Sequence, residues 1–500
     1  MLTAAQPQEL ARLRELCRDA GYTEEGLLAV FGPVGLPALR TPELPHFLYL
    51  TREGRRLDTL VRLFLLGVTA PRTVVLSTLG TELLEACGRW GLLESRGDTV
   101  VARVRLTPFR GLLLAVDQPG HPEIARRPDQ VMGITGSTAV LANFAIRRPA
   151  RRTLDLGTGC GVQALLASSH SERVTATDCN PRALAFARFN AALNNQSNIC
   201  FIQGDAFQPV RARTFDLIVV NPPFAVSPWP RYLYRDSGQP GDQFCEQLVR
   251  QAPAFLNEGG FFQMTLDWVE RAGEDWKQRL SSWFEDSGCD AWVLRLDRET
   301  AASYAYVWIR DTEPGDPAEA GRLYDEWVQY FERERIEAIS TGVIAMRRRS
   351  GRNWVRMDEA PGGLQRSAGE WVELGFRLRD YLEATGDQEL LDARLRVAPQ
   401  ARLIEECQVQ QQRWQPTVTR IQLTAGLEWE GRLDARLRGL LARMDGRRPL
   451  RDLLIHLAVE LGATPEQLIR AALPLLRDLL LRGFLLPEGL AAPAGAGEQD

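Results

Sequence analysis

The sequence predicts an α/β protein built on a doubly wound, seven-stranded sheet over residues 121–312, with helical, winged-helix-like modules at 1–117 and 400–487. Three observations carry this. Short apolar runs alternate with amphipathic runs of helical spacing from about residue 150 onward, the pattern of strand–helix units. The first apolar run ends in Asp155-Leu156 and passes through Gly157, Gly159 and Gly161 into the helix-forming run Val162–Ala167. The fourth, Phe215–Val220, ends in Asn221-Pro222-Pro223-Phe224. Consecutive prolines cannot donate ladder hydrogen bonds, so pairing must stop there.

A chain of 500 residues exceeds one ordinary core, so several domains are expected. Apolar (45%) and charged (25%) fractions are those of a globular protein. A net charge of −4 supplies no global basic field for nucleic acid, and Lys277 is the single lysine among 60 basic residues. The eight cysteines make no C-x-x-C pair and there are four histidines, so neither a metal site nor a disulfide framework is expected. A reduced, cytoplasmic setting fits. The N-terminus lacks a basic segment followed by an apolar core, and no apolar run reaches ~18 residues, so neither a signal peptide nor a membrane span is expected.

Taken in order, 8–20 and 23–31 read as two helices broken at Gly21, and 55–67 and 80–93 carry Leu and Val at helical spacing. Thr99–Leu106 and Leu112–Asp117 read as strands separated by Pro108 and Gly111. Helices followed by a hairpin give the winged-helix-like module, open to nucleic-acid binding or to a structural role. Ahead of the first core strand, Thr135, Ser137 and Thr138 precede the helical Ala139–Ile146. They can cap that helix or close over a ligand.

In the glycine turn the backbone needs unrestricted φ, and a ligand can approach with no Cβ in the way. The dinucleotide fingerprint G-x-G-x-x-G would need glycine where Val162 stands, which disfavours a pyrophosphate. The second strand, Arg173–Thr177, ends in Asp178, where a carboxylate can accept both ribose hydroxyl protons. Asn180-Pro181 starts the next helix, with proline in the first turn. Cys200–Ile202 is a third strand, followed by Gly204-Asp205-Ala206-Phe207. Asp205 stands at the carboxyl end of that strand, and Phe207 faces either a ligand ring or the core. After the fourth strand, the Asn221 side-chain amide and the Pro222 carbonyl offer two acceptors above the carboxyl ends of the strands, where ligands of such sheets bind. Two acceptors suit the two hydrogens of an NH2 group, and Phe224 supplies a face for a planar amide or base.

Ser227–Gly241 is a loop rich in Pro, Gly and aromatics, holding Arg231, Tyr232, Tyr234, Arg235 and Asp236, that either contacts substrate or packs on itself. Gln243–Leu256 and Trp276–Phe284 read as helices around the strand Phe261–Leu266, and Ala291–Leu296 with Tyr304–Ile309 as a closing antiparallel pair. After a linker at 313–320, residues 321–360 read as a helix, Leu323–Arg335, and a hairpin of Ile339–Met346 and Asn353–Met357. Arg347, Arg348, Arg349, Arg352 and Arg356 put five arginines and no acid within ten residues, open to phosphate contact or to plain solvation. The C-terminal module carries amphipathic helices at Asp434–Leu441, Leu450–Leu461 and Pro465–Arg482, and 488–500 reads as a disordered tail.

The ordered set LDLGTGCG, TDCNPRALAFARFNAALNN, GDAF and FDLIVVNPPF resembles the HemK/PrmC-type glutamine N-methyltransferases and the related ribosomal-RNA and DNA amino-methyltransferases, over about 150–225. The resemblance implies a class I, Rossmann-like methyltransferase sheet with S-adenosyl-L-methionine (SAM) as cofactor. It implies N-methylation of a planar NH2 on a macromolecular partner: a protein glutamine of a release factor first, an RNA or DNA nucleobase as the alternative. A non-catalytic SAM-fold scaffold is the third reading. Carried over residue by residue, Gly157, Gly159 and Gly161 would line the methionine part and Asp155 would face its amino end. Asp178 would take the ribose, and Asp205 with Ala206 the adenine. Asn221, Pro222 and Pro223 would hold the acceptor nitrogen, with Phe224 on its plane. HemK-type enzymes usually carry Tyr where Phe224 stands, and Phe is common in the nucleic-acid branch. Their small helical substrate domain also differs from both terminal modules here. Arg127-Pro128-Asp129 is similar to an RPD segment ahead of the HemK first strand.

Overall fold

The computed structural model describes residues 2–3, 6–32, 43–118, 127–313, 316–360, 363–364, 368–410 and 412–493. They fall into two compact units, the first made of Met1–Ala142, Pro149–Val293 and Asp297–Met357, the second of Asn143–Arg148, Leu294–Leu296 and Asp358–Asp500. The expected start of the central domain at 121 lies outside the described residues. Among the described residues no helix is long and apolar enough to cross a membrane.

The central sheet has eight strands: β1 Ala150–Leu156, β2 Ser171–Asp178, β3 Ile199–Gln203, β4 Phe215–Val220, β5 Leu256–Arg271, β6 Cys289–Thr300, β7 Ile336–Arg348 and β8 Val355–Glu359. They stand in the order β8-β6-β7-β5-β4-β1-β2-β3. From β5 through β3 the pairings are parallel, while β7 runs antiparallel to β5 from Phe261↔Arg347 to Arg271↔Ile336. Parallel strands covered on both faces must be apolar throughout, and Leu154, Ile218, Phe262 and Met264 are each 0% exposed. The associated helices are α1 Gly136–Phe144, α2 Val162–Ser168, α3 Pro181–Leu193, α4 Gln243–Gln251, α5 Trp276–Ser281, α6 Ala301–Thr312 and α7 Pro317–Arg333. The strand order reverses at β1, which has β2 on one side and β4 on the other. That switch point opens the crevice in which such sheets bind ligands.

Two expectations change here. Tyr304–Ile309 is helix, not strand. Thr300 caps α6 by accepting the Ser303 N–H at 3.2 Å, and Ala301, Tyr304, Ala305 and Ile309 are buried at helical spacing. The hairpin of Ile339–Met346 with Asn353–Met357 does not form, because β6 lies between β7 and β8. The segment 321–360 therefore supplies α7, an inner strand and an edge strand to the central sheet, which continues past 312 and has one strand more than expected.

The N-terminal residues belong to the same unit. Helices Pro7–Asp19, Glu24–Phe31, Leu44–Leu50, Arg56–Leu60 and Arg72–Trp90 surround a small sheet of Ala70–Pro71, Leu93–Arg96 and Thr99–Ala102. The expected strand Thr99–Leu106 is interrupted at Arg103, whose N–H bonds the Leu92 carbonyl at 2.8 Å. Val104–Phe109 and Leu112–Asp117 then form a hairpin that lies along α3. Asn190 Oδ1 accepts the Ala115 N–H at 2.7 Å, and its amide donates to the carbonyls of Ala115 and Cys160 at 2.9 and 2.8 Å. Asn194, one turn on, grips Leu113 in the same way.

In the second unit, Arg394–Val397 pairs with Asp445–Pro449 and Leu485–Pro487, beside helices Ala368–Ala384, Ala435–Leu441, Leu450–Leu461 and Pro465–Leu481. It begins well before 400, and the segment 400–423 is a hairpin, Ala401–Gln410 with Arg413–Leu423. Gly426 has φ +75 and lies so close to Trp371 that a Cβ would stand 2.4 Å from its ring. Of the expected tail, 488–493 is described, with the Pro493 carbonyl accepting from Gln400 at 3.1 Å; 494–500 lies outside the described residues.

Candidate active site

β1 ends in Asp155-Leu156, and the chain turns through Gly157, Gly159 and Gly161 at φ +72, +57 and +88, values that favour glycine. Gly157 and Gly159 have nothing within 4 Å of the place a Cβ would occupy, whereas a Cβ on Gly161 would meet Ala187 Cβ at 3.0 Å. The first two leave a bare wall, and the third lets the start of α2 approach α3. Asp155 locks the turn: its Oδ2 accepts the Thr158 hydroxyl at 2.6 Å and the Ala164 N–H at 2.9 Å. Burial pushes its carboxyl up to about 7, against the pull of those two bonds.

Asp178, half-buried at the end of β2, accepts the Gly159 N–H on Oδ2 at 2.9 Å and the Asn180 N–H on Oδ1 at 2.8 Å. Its pKa is raised by burial, which outweighs both backbone bonds. Asp205 is exposed after β3, and Ala206 takes a positive φ of 43°. Phe207 is buried and stacks on Phe255 at 4.4 Å, so it belongs to the core and not to a ring-binding face. After β4, Asn221 Oδ1 accepts the Thr265 hydroxyl at 2.7 Å.

These features converge. Asp155, Gly157, Gly159, Asp178, Asp205, Ala206, Asn221, Pro222, Pro223 and Phe224 all line one cavity of ≈ 780 Å³; Gly161 does not. The volume suits a cofactor-sized ligand with space beyond it. The bare glycine wall and a carboxylate held by two backbone N–H groups offer room for a ligand and an acceptor for its hydroxyl groups. Among the described residues no cluster of His, Cys, Asp or Glu could hold a metal ion.

Thr135, Ser137 and Thr138 both line the cavity and act at the start of α1, where Thr135 Oγ1 accepts the Thr138 N–H at 3.3 Å. The Arg127–Asp129 segment straps the site, for the Asp129 carbonyl accepts from the Asn180 side chain and the Pro128 carbonyl from the Leu233 N–H, each at 3.0 Å. The loop after Phe224 is packed as well as lining. Asp236 accepts from the Arg231 and Tyr232 N–H groups, the Ser227 hydroxyl and Arg235, while Leu233 and Tyr234 reach the cavity. Sequence reasoning missed Thr265 and Asp267 of β5, Tyr304 and Trp308 of α6, and Thr341 of β7, which also line it. Asp267 accepts the Tyr304 hydroxyl at 2.6 Å and the Thr341 hydroxyl at 2.7 Å, and burial pushes it up to about 7. A lone acid inside the apolar run Phe261–Val269 was a readable signal, since a buried carboxyl needs partners.

Residues 134–286 match the Methyltransferase small domain, and 19–103 and 373–487 match two families each described as a Domain of unknown function (DUF7059 and DUF7782). The chain is 29% identical over 290 residues to a release factor glutamine methyltransferase of Xylella fastidiosa, covering 50% of this chain and 98% of that one. It is 37% identical over 192 residues to the enzyme of that name from Yersinia pestis, covering 35% of this chain and 65% of the other. For the Deinococcus radiodurans protein of the same name the figures are 37% over 128 residues, 23% and 45%. The chain thus spans nearly all of the first relative and less than two thirds of the other two.

Proposed function

The chain carries a class I SAM-dependent methyltransferase domain of the HemK-like type, and we propose that it methylates the side-chain amide nitrogen of a protein glutamine, with a release factor as substrate. One observation supports an amide nitrogen above other acceptors: Asn221-Pro222-Pro223-Phe224 shares its cavity with the glycine turn and Asp178. The names of the three relatives point to the same substrate.

SAM, when bound, supplies a methyl group already activated on a sulfonium. On this reading Gly157 and Gly159 make room for its methionine part, while Asp155 and Gly161 hold the turn in shape. Asp178 accepts from the ribose hydroxyls with its carboxylate steadied by Gly159 and Asn180, and Asp205 with Ala206 meets the adenine. An amide nitrogen is a poor nucleophile because its lone pair is delocalised. Asn221 Oδ1 and the Pro222 carbonyl would each accept one of its N–H groups, favour a pyramidal nitrogen and aim it at the methyl. Orientation and electrostatics then carry the rate. Phe224 would cover the amide plane, and the nitrogen, once methylated, would release one of its protons to solvent.

Mass spectrometry of release factors and of digested RNA from wild-type and deletion strains tests this. The expected result is loss of a methyl mark on a release-factor glutamine. Loss of a methylated nucleoside alone would move the reading to nucleobases, and no change in either pool would remove the planar NH2 acceptor.

A further inference from the structure

Thr265 and Asp267 stand on one face of β5, because side chains alternate along a strand. Each holds one end of the segment that follows β4. The Thr265 hydroxyl donates to Asn221 Oδ1 at 2.7 Å. Asp267 accepts the Tyr304 hydroxyl proton at 2.6 Å, and the Tyr304 oxygen accepts the Val226 N–H at 3.1 Å. Thr341, paired with Asp267 across β7, donates to the other carboxyl oxygen at 2.7 Å. Thr265, Asp267 and Tyr304 are 3%, 2% and 4% exposed, so bulk water does not substitute for these bonds.

We propose that Thr265 and Tyr304 are positioning residues for methyl transfer, bracing Asn221 at one end and Val226 at the other so that the acceptor grip between them keeps its shape. The inference rests on the reading of Asn221 as the residue that accepts the substrate N–H. An asparagine amide turns over a broad, nearly two-fold torsional profile. Unheld, it offers its NH2 as readily as its oxygen, and the NH2 is a donor that would oppose the substrate amide. Donation from Thr265 keeps Oδ1 at the site and leaves its second lone pair for the substrate. At the other end, Tyr304 carries the Asp267 anchor to the backbone two residues past Phe224. Tyr304 sits on α6, one of two helices between β6 and β7, so this pair of helices couples directly to the reacting segment.

The test uses the full chain with tritiated SAM and a purified release factor, comparing wild type with Thr265→Val, Thr265→Ser and Tyr304→Phe. Thr265→Val should lower kcat about ten- to a hundred-fold, the scale of a small misplacement, with SAM affinity unchanged. Thr265→Ser should recover most of the rate. Tyr304→Phe should lower kcat and speed hydrogen exchange at the Val226 amide. A Thr265→Val enzyme with wild-type kcat overturns the proposal, and so does a parallel loss of kcat, SAM affinity and melting temperature, which marks a folding defect. If the wild-type protein leaves the release factor unmethylated, the glutamine reading fails by itself. The braces are then read from Val226 amide exchange in Tyr304→Phe and from the Asn221 side-chain amide resonances in Thr265→Val, and no change in either overturns them.

Discussion

Arg347 pairs with the fully buried carboxylate of Asp290 at 2.7 Å, across 57 residues of chain. Asp290 also meets Arg349 at 3.5 Å and accepts from Asn353 and the Trp354 N–H at 3.3 Å. Arg348 donates to the Ser287 carbonyl at 2.9 Å, and Arg356 lies over the Trp292 ring at 4.6 Å. Four of the five arginines of a run that reads as open to phosphate thus have partners at the end of the sheet, Arg352 being exposed, and the nucleobase reading loses most of that support. Asp290→Ala should destabilise the protein by ~3–5 kcal/mol in urea denaturation, the usual cost of stripping one partner from a buried pair. A cost under about 1 kcal/mol would show instead that these arginines are solvated.

Asn190, 0% exposed on α3, makes three hydrogen bonds that tie the N-terminal hairpin and the Cys160 carbonyl to the methyltransferase fold. Asn190→Leu keeps the bulk but leaves those backbone groups unpaired, at about 1–3 kcal/mol for each group that water cannot reach. Loss of at least ~2 kcal/mol is expected in chemical denaturation. A near-neutral substitution would show that the hairpin is not coupled to α3 in folding.

The strand–helix alternation from β1 to β4 is legible because each signal is local. Gly157 and Gly159 mark the turn, Asp178 ends the next strand and Pro222-Pro223 stop the fourth. Pairing partners are not local. Ile339–Met346 reads as a strand, but nothing in it says that β7 lies between β5 and β6. Tyr304–Ile309 is rich in residues that favour strands, yet the capping Thr300 and the buried face of α6 decide for helix. The same holds for the site. Most residues within the motifs line one cavity, Gly161 and Phe207 excepted, whereas Thr265, Tyr304 and Thr341 reach it only through the sheet order and the helices between β6 and β7.

Asp178→Ala should weaken SAM binding roughly ten- to a hundred-fold by calorimetry, since a bond to a charged acceptor contributes ~1.5–3 kcal/mol. The variant also removes the acceptor for the Gly159 and Asn180 N–H groups. Asp178→Asn, which keeps an acceptor for one of them, should fall between the two. Affinity unchanged in Asp178→Ala would take the residue out of the cofactor site.

Asn221→Ala should leave SAM affinity within a few-fold and cut turnover by at least ~100-fold, as for loss of a transition-state hydrogen-bond partner. The contrast with Asp178→Ala separates the two ends of the cavity. Normal methylation by the variant would end the proposed mechanism, and lost SAM binding would move Asn221 to the cofactor end.

Asp155 and Asp267 give the ligand-free protein a pH dependence of definite sign. Burial pushes each carboxyl up to about 7 in the fold, while in the unfolded chain an aspartate titrates near ~3.9. Between those values the folded state holds protons that the unfolded state has released, so stability falls as pH rises through this window. Below ~4 both states are protonated at these positions and the penalty is absent. Above about 7 the folded carboxyls must ionise in a buried setting, and the penalty is present in full. Other carboxylates act in the opposite direction, such as Asp129, whose pKa is lowered by Arg127. The clean measurement is therefore a difference between wild type and Asp155→Asn in urea midpoints from pH 5 to 8. The variant has no charge to bury, so its stability relative to wild type should improve from pH 5 up to about pH 7 and level off above it. Asp267→Asn should show the same trend. Parallel curves for wild type and Asp155→Asn would mean that Asp155 is already ionised in the fold across this range, with the Thr158 and Ala164 donors outweighing its burial.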